Sequence, residues 1–253
     1  MTHILQLPAA LDPIHALDRL SALDPLDVDT TRLGLRVLLP DLPDLAGRVR
    51  IALGLGPDAP VDLRLAPLRD GNPPTRLAPP ALSIDGTAIH LAAGDAFGTG
   101  AHPTTALCLD WLTETPMPAR VLDVGTGTGV LAISAALRGA GEVLGVDADP
   151  AAIAEARVNV ARNSLDGRIT VRLGGPEGLD RYPLVLANIL AGPLLTLAPA
   201  LGRVVARRGE LLLSGIPAGV VDEVAAVYVR DGFKRGEVAT SGGWACLVLR
   251  ASW

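Results

Sequence analysis

Downstream of Ala119 the chain alternates short apolar runs with longer mixed stretches, joined by short connections. Arg120–Val124, Glu142–Val146, Ile169–Leu173, Leu184–Ala187 and Glu210–Ser214 read as strands. Val130–Leu137, Ala151–Arg162, Leu194–Ala206 and Val220–Val229 read as helices. Asp149-Pro150 supplies an N-cap followed by proline at the first helical position. Repeated β/α crossovers of this kind predict a parallel, doubly wound α/β sheet. Glu237–Ala239 and Ala245–Leu249 are joined through Ser241-Gly242-Gly243, a hairpin signal that adds an antiparallel edge.

The first eighty residues lack that rhythm. Thr2–Leu7, Arg32–Leu39, Arg48–Leu55 and Val61–Leu65 have strand character, and Pro13–Leu23 reads as an amphipathic helix. Beyond them, Asp70-Gly71-Asn72-Pro73-Pro74 and Pro79-Pro80 break the chain into turns. The expected organisation is a small α+β domain over residues 1–70, a linker over 71–80 and the main domain over 81–253. A short hairpin (Ala81–Ile84, Ala88–Leu91) opens the main domain. Pro183–Leu201 carries no formal charge. Its Asn188, Gly192, Pro193 and Pro199 suit a buried strand turning into a helix better than a membrane span. The N-terminus lacks a basic stretch and a continuous apolar core, so no secretion signal is expected.

The turn after the first main-domain strand, Asp123-Val124-Gly125-Thr126-Gly127-Thr128-Gly129, carries the strongest chemical signal. Glycines lack Cβ, so a ligand can lie against the backbone where a helix begins. The next strand ends at Asp147. It lies about twenty residues after the first glycine, as in a nucleoside-binding βαβ unit, and a carboxylate there can accept hydrogen bonds from both ribose hydroxyls. The dinucleotide fingerprint G-x-G-x-x-G is broken, because Val130 follows Gly129. A glycine-rich loop with the acidic lead-in Asp123 resembles instead the first motif of class I S-adenosylmethionine-dependent methyltransferases. Their ligand carries an ammonium and a sulfonium, beside which a carboxylate makes sense; beside two phosphates it does not.

Composition narrows the partners. The 253 residues carry a net charge of −5, which argues against a polyanion as principal partner and against direct nucleic-acid recognition. Two cysteines, Cys108 and Cys246, lie far apart within apolar runs and form neither a disulfide framework nor a zinc-ligand spacing. The reading is a reduced, cytoplasmic protein with no membrane partner and no metal.

Two further segments carry candidate chemistry. Gly94-Asp95-Ala96-Phe97-Gly98-Thr99-Gly100-Ala101-His102-Pro103-Thr104-Thr105 leads into a helix over Ala106–Leu112. Such a loop could cover a cofactor, with Phe97 as a flat apolar face and Thr105 reaching its polar end. His102 is expected to orient the loop rather than take a proton. The other segment is Ala187-Asn188-Ile189-Leu190-Ala191-Gly192-Pro193, at the carboxyl end of the fourth strand of the α/β domain. Ligands of open parallel sheets sit at those ends. Asn188 would face the reacting group there, its amide oxygen accepting a hydrogen bond from an amine.

Together, FGTGAHPTT, VLDVGTGTGVLAI, GVDADP, ANILAGPL and LLLSGI resemble the ribosomal protein L11 methyltransferase family over about Ala93 to Leu249. The resemblance implies a Rossmann-like seven-stranded class I methyltransferase sheet with an antiparallel terminal hairpin. It implies S-adenosylmethionine contacts at Thr105, Gly125, Asp147 and Asn188, with Phe97 closing over the ligand, Thr126 and Gly127 in the glycine loop, and Asn188 catalytic. It further implies methyl transfer to amino groups (lysine side chain, N-terminus or both) of a large-subunit ribosomal protein. Upstream of Ala93 there is no tryptophan, whereas family members usually carry a Trp-rich connecting helix there. A class I methyltransferase acting on another protein, a small molecule or a nucleic-acid base amine is the alternative. Base-amine enzymes place an aromatic ring shortly after the Asn or Asp; Ile189-Leu190-Ala191 offers none.

Overall fold

The computed structural model describes residues 2–8, 20, 27–31, 34–40, 43–53, 55, 59–65, 82–92 and 102–253. Phe97, the linker over 71–80 and, apart from Leu20, the helix expected over 13–23 lie outside the described residues.

The chain begins with β1 (Thr2–Pro8), β2 (Asp27–Thr31), β3 (Gly34–Pro40), α1 (Leu45–Leu53) and β4 (Asp62–Leu65). The four strands form an antiparallel sheet ordered β2-β3-β1-β4. α1 corrects the strand expected over Arg48–Leu55. The pattern around Val49, Ile51 and Leu53 alternates as a strand would, yet Leu45, Val49 and Leu53 form the buried stripe, four residues apart. Ile51, which a strand would place beside Val49 and Leu53, is 82% exposed. β2 has no counterpart in the hydrophobic pattern, since Asp27-Val28-Asp29-Thr30-Thr31 offers one apolar side chain. It forms as an edge by pairing with β3.

β5 (Leu82–Ile84) and β6 (Thr87–Ile89) pair as the expected hairpin. Its turn residues Asp85 and Gly86 both take positive φ, 49° and 76°, as a type I′ turn requires. Then come α2 (Pro103–Glu114), β7 (Arg120–Val124), α3 (Val130–Leu137), β8 (Glu142–Asp147), α4 (Pro150–Arg162) and β9 (Ile169–Leu173). The chain continues through β10 (Tyr182–Asn188), α5 (Ala191–Val204), β11 (Val205–Pro217), α6 (Val221–Arg230), β12 (Phe233–Ser241) and β13 (Trp244–Ala251). Among the described residues these strands build one seven-stranded sheet, ordered β12-β13-β11-β10-β7-β8-β9. β7 to β11 run parallel where they pair, and β13 is antiparallel to both β11 and β12. The α/β class and the antiparallel terminal hairpin are therefore as the pattern predicts.

Burial on both faces explains why the central strands are apolar without interruption. Val121, Leu184, Leu186, Leu212 and Val248 face one core with α2, α3 and α4. Leu122, Val124, Val185, Ala187, Leu211, Leu213, Leu247 and Leu249 face the other with α5 and α6. There the buried Tyr228 hydroxyl donates to Leu194 O at 2.6 Å, linking α6 to α5. The uncharged stretch over Pro183–Leu201 is strand and helix within that core. No helix among the described residues is long and apolar enough to cross a membrane.

The chain fills β7, β8 and β9 outward, then returns to place β10 on the opposite side of β7. This reversal falls at the carboxyl ends of β7 and β10, the position where open α/β sheets bind ligands. Gly125 and Asn188 stand at those two ends.

Candidate active site

The glycine loop is a tightly bonded bend. Gly125, Gly127 and Gly129 take φ of 71°, 53° and 82°, the region that L side chains rarely occupy. Gly125 N–H and Thr126 N–H both donate to Val146 O, at 2.8 and 3.0 Å, and Gly129 N–H donates to Thr126 O at 2.7 Å. Gly127 N–H donates to Asp147 Oδ2 at 2.9 Å, and Asp149 N–H to Asp147 Oδ1 at 3.0 Å. The expected neighbours Gly125, Gly127 and Asp147 thus form one cluster. The N–H groups of Gly125, Thr126 and Gly127 are engaged within the protein. Each Asp147 oxygen has a lone pair beyond the one its backbone donor uses, which leaves acceptor capacity for hydroxyls.

Thr126 is 4% exposed and its hydroxyl donates to Asp123 Oδ2 at 2.7 Å. The side chain therefore braces the loop from beneath. Burial, with a smaller push from the charge of Asp147, raises the Asp123 carboxyl to about 7, against the hydrogen bonds from the Thr126 hydroxyl and the Ala132 backbone that hold it down. Asp123 Oδ1 is buried and has no hydrogen-bond partner among the described residues.

Across the sheet reversal, α2 sets its first turn against the ends of β10, β11 and β13. His102 caps the helix: its ring Nδ1 accepts from Thr104 N–H at 3.4 Å and lies 2.8 Å from Thr104 Oγ1. Pro103 takes the first helical position, as its fixed φ favours. Thr104 and Thr105 are fully buried. Ser214, paired in register with Asn188, has its hydroxyl 3.3 Å from Thr104 O and 3.2 Å from Ala245 O. Asn188 Nδ2 donates to Thr105 Oγ1 at 3.3 Å. Asn188 Oδ1 is buried and accepts from none of the described residues. The His102 ring also meets Trp244 edge to face, centroids 5.0 Å apart. Trp244 in turn belongs to the buried cluster of Leu5, Leu7, Leu20, Leu39, Leu45, Val49 and Leu53. Thr105, Asn188 and the glycine loop are thereby brought to one end of the sheet.

One residue without a motif of its own, Asn159, also belongs here. Asn159 and Asn163 stand four apart on and just past α4, so both amides project from one side of the helix. Asn159 Nδ2 donates to Thr128 O in the glycine loop at 2.8 Å, and its Oδ1 accepts from Ala92 N–H at 2.6 Å. Its signal in the sequence is an amide inside an apolar helical stripe: Asn159 lies beside Ala156 and Val160, all buried.

Residues 75–252 match a family model described as ribosomal protein L11 methyltransferase (PrmA). The ribosomal protein L11 methyltransferase of Methylococcus capsulatus is 46% identical over 166 residues, covering 64% of this chain and 56% of that protein. Its namesake from Ectopseudomonas mendocina is 46% identical over 164 residues, covering 63% and 55%. The chain spans about half the length of these curated relatives. Among solved structures, a ribosomal protein L11 methylase from Lactobacillus delbrueckii subsp. bulgaricus superposes with a TM-score of 0.57 at 31% identity, covering 64% of this chain and 85% of that one. The matched residues include the glycine loop, Asp147, Thr105 and Asn188. On that match, the chain belongs to the ribosomal protein L11 methyltransferase family.

Proposed function

We propose that this chain transfers methyl groups from S-adenosylmethionine to amino groups of a protein, with a large-subunit ribosomal protein as substrate. One observation carries the reading. Asn188 ends β10 at the sheet reversal, its amide nitrogen held by Thr105 and its amide oxygen buried without a described partner.

The residues present suit the cofactor. Asp147 offers a carboxylate for ribose hydroxyls, and Asp123 sets a second carboxyl group beneath the glycine loop, suited to a cationic amino-acid tail. Thr105, Gly125, Gly127 and Asn188 line the same end of the sheet, Thr126 holds the bend, and Phe97 is proposed as the cover. When bound, S-adenosylmethionine supplies an electrophilic methyl group on sulfonium. The remaining work is positional. A lysine amine has an ordinary pKa of about 10.4 and arrives protonated; desolvation on entering the site favours its neutral form, the proton passing to solvent before transfer. Asn188 Oδ1 then accepts a hydrogen bond from the amine and fixes the direction of its lone pair. Holding the two partners in a near-attack arrangement supplies most of the acceleration.

A nucleic-acid base is the weaker substrate. Ile189 packs against the apolar core, and no aromatic side chain follows Asn188 to stack on a base. The proposed division of labour gives residues 81–253 the chemistry and residues 1–70 substrate recognition. A ribosome-directed enzyme of this kind works in the cytoplasm.

The test is incubation of the purified protein with tritiated S-adenosylmethionine and ribosomal subunits, with mass spectrometry of any labelled band. Label in a large-subunit protein, lost with Asn188→Ala, supports the proposal. Label confined to RNA or to small molecules overturns it.

A further inference from the structure

The segment 90–92 leaving the β5–β6 hairpin is tied to α4 through the amides of Asn159 and Asn163. Asn163 makes a closed pair with His90, whose N–H donates to Oδ1 at 2.9 Å while Nδ2 donates to His90 O at 2.8 Å. Asn163 Nδ2 also donates to Asn159 O at 2.7 Å. Asn159 holds Ala92 in the same way on its acceptor side, but its donor leaves the pair and reaches Thr128 O instead. The Asn159 side chain is fully buried. A primary amide presents a donor and an acceptor from one rigid plane, which is what a bridge between two backbones requires.

Those two backbones have different business. Thr128 stands between Gly127, whose N–H holds Asp147, and Gly129, which begins α3. Ala92 stands two residues before Gly94, where the segment carrying Phe97 begins, and Thr105 at the far side of that segment meets Asn188. We propose that Asn159 is a positioning residue for cofactor binding, tying the glycine loop to the chain that enters the Phe97 segment. The inference rests on the cofactor reading under the proposed function. Three glycines at positive φ leave the loop with many accessible backbone states, so it must be fixed by hydrogen bonds before a ligand arrives. Asp147 fixes the peptide at Gly127 and Asn159 fixes the carbonyl of the next residue. Ordering that is absent from the free protein is charged to the ligand as lost affinity.

Asn163 provides the control, because it secures the same segment without touching the glycine loop. The experiment uses the full chain with Asn159→Asp, which keeps the acceptor for Ala92 and loses the donor to Thr128, and Asn163→Asp. S-adenosylhomocysteine affinity is measured by calorimetry beside the melting temperature, and kcat and KM for S-adenosylmethionine are measured where turnover is detected. Asn159→Asp is expected to weaken S-adenosylhomocysteine about tenfold and raise KM in proportion, with kcat within about threefold. Asn163→Asp is expected to lower the melting temperature while leaving affinity within about twofold. Affinity of Asn159→Asp within about twofold of the unaltered chain overturns the inference, as does an equal loss in both variants. If Asn159→Asp does not fold, the uncharged Asn159→Ser is judged by the same ratio. Failure of the unaltered chain to bind S-adenosylhomocysteine sinks the cofactor reading instead.

Discussion

Asn188 and Thr105 lie 83 residues apart in sequence and meet through one hydrogen bond, Nδ2 to Oγ1 at 3.3 Å. That bond decides which end of the amide is left over. The nitrogen is engaged, so the buried oxygen is the group available to an incoming amine.

Asn188→Ala removes that acceptor while keeping the strand end. Methyl transfer is expected to fall by about a hundredfold or more, with S-adenosylhomocysteine binding still measurable. Thr105→Val keeps the volume and removes only the hydroxyl that turns the amide, so a smaller loss of about tenfold is expected. Single-turnover rates with both variants check the order.

Asp147→Ala takes the acceptor from Gly127 N–H and from any ribose at once. Affinity for S-adenosylhomocysteine should weaken by about 1–3 kcal/mol, read by titration calorimetry. An unchanged affinity would mean that the ribose lies elsewhere.

Asp123 gives the protein a pH dependence of known sign. Its carboxyl is held at about 7 when folded, against an ordinary value of 3.8. Between those two values the folded chain keeps a proton that the unfolded chain has released. The contribution to stability is therefore complete below the lower value, falls as pH rises, and is gone above the upper one. Urea unfolding of the unliganded protein should show a loss on the order of 2 kcal/mol between about pH 5 and pH 8 relative to Asp123→Asn. Parallel profiles for the two proteins would remove Asp123 from consideration.

Gly125→Ala tests the bend itself. A Cβ there falls 2.2 Å from Ile189 Cγ2, and the backbone holds φ at 71°. Steric overlap and left-handed backbone add, for an expected cost of about 2 kcal/mol or more. Chemical denaturation reads it directly, and affinity should fall with stability because β7 and β10 meet at this contact.

Much of the fold is legible in the sequence because most strands of the main domain are buried on both faces and announce themselves as apolar runs. The glycine loop, Asp147 and Asn188 are legible because each occupies a position that topology makes chemical, at the carboxyl end of a parallel strand. What escapes does so for definite reasons. β2 has almost no apolar content and is held by its pairing with β3. α1 reads as a strand because Val49, Ile51 and Leu53 satisfy both periods until burial selects one. The inward turn of Thr126 depends on Asp123 beneath it, and the bridging of Asn159 depends on two backbones brought from 31 and 67 residues away. No local pattern records such partners.

Trp244 has a consequence for how the molecule is made. It opens β13, yet it completes a cluster whose other fully buried members all come from the first 53 residues. At about 5–20 residues per second, translation supplies the indole roughly ten to forty seconds after those leucines emerge. Through that interval the nascent amino-terminal piece carries an unfinished greasy surface. Completion of that cluster waits for Trp244 rather than for the length of the piece itself.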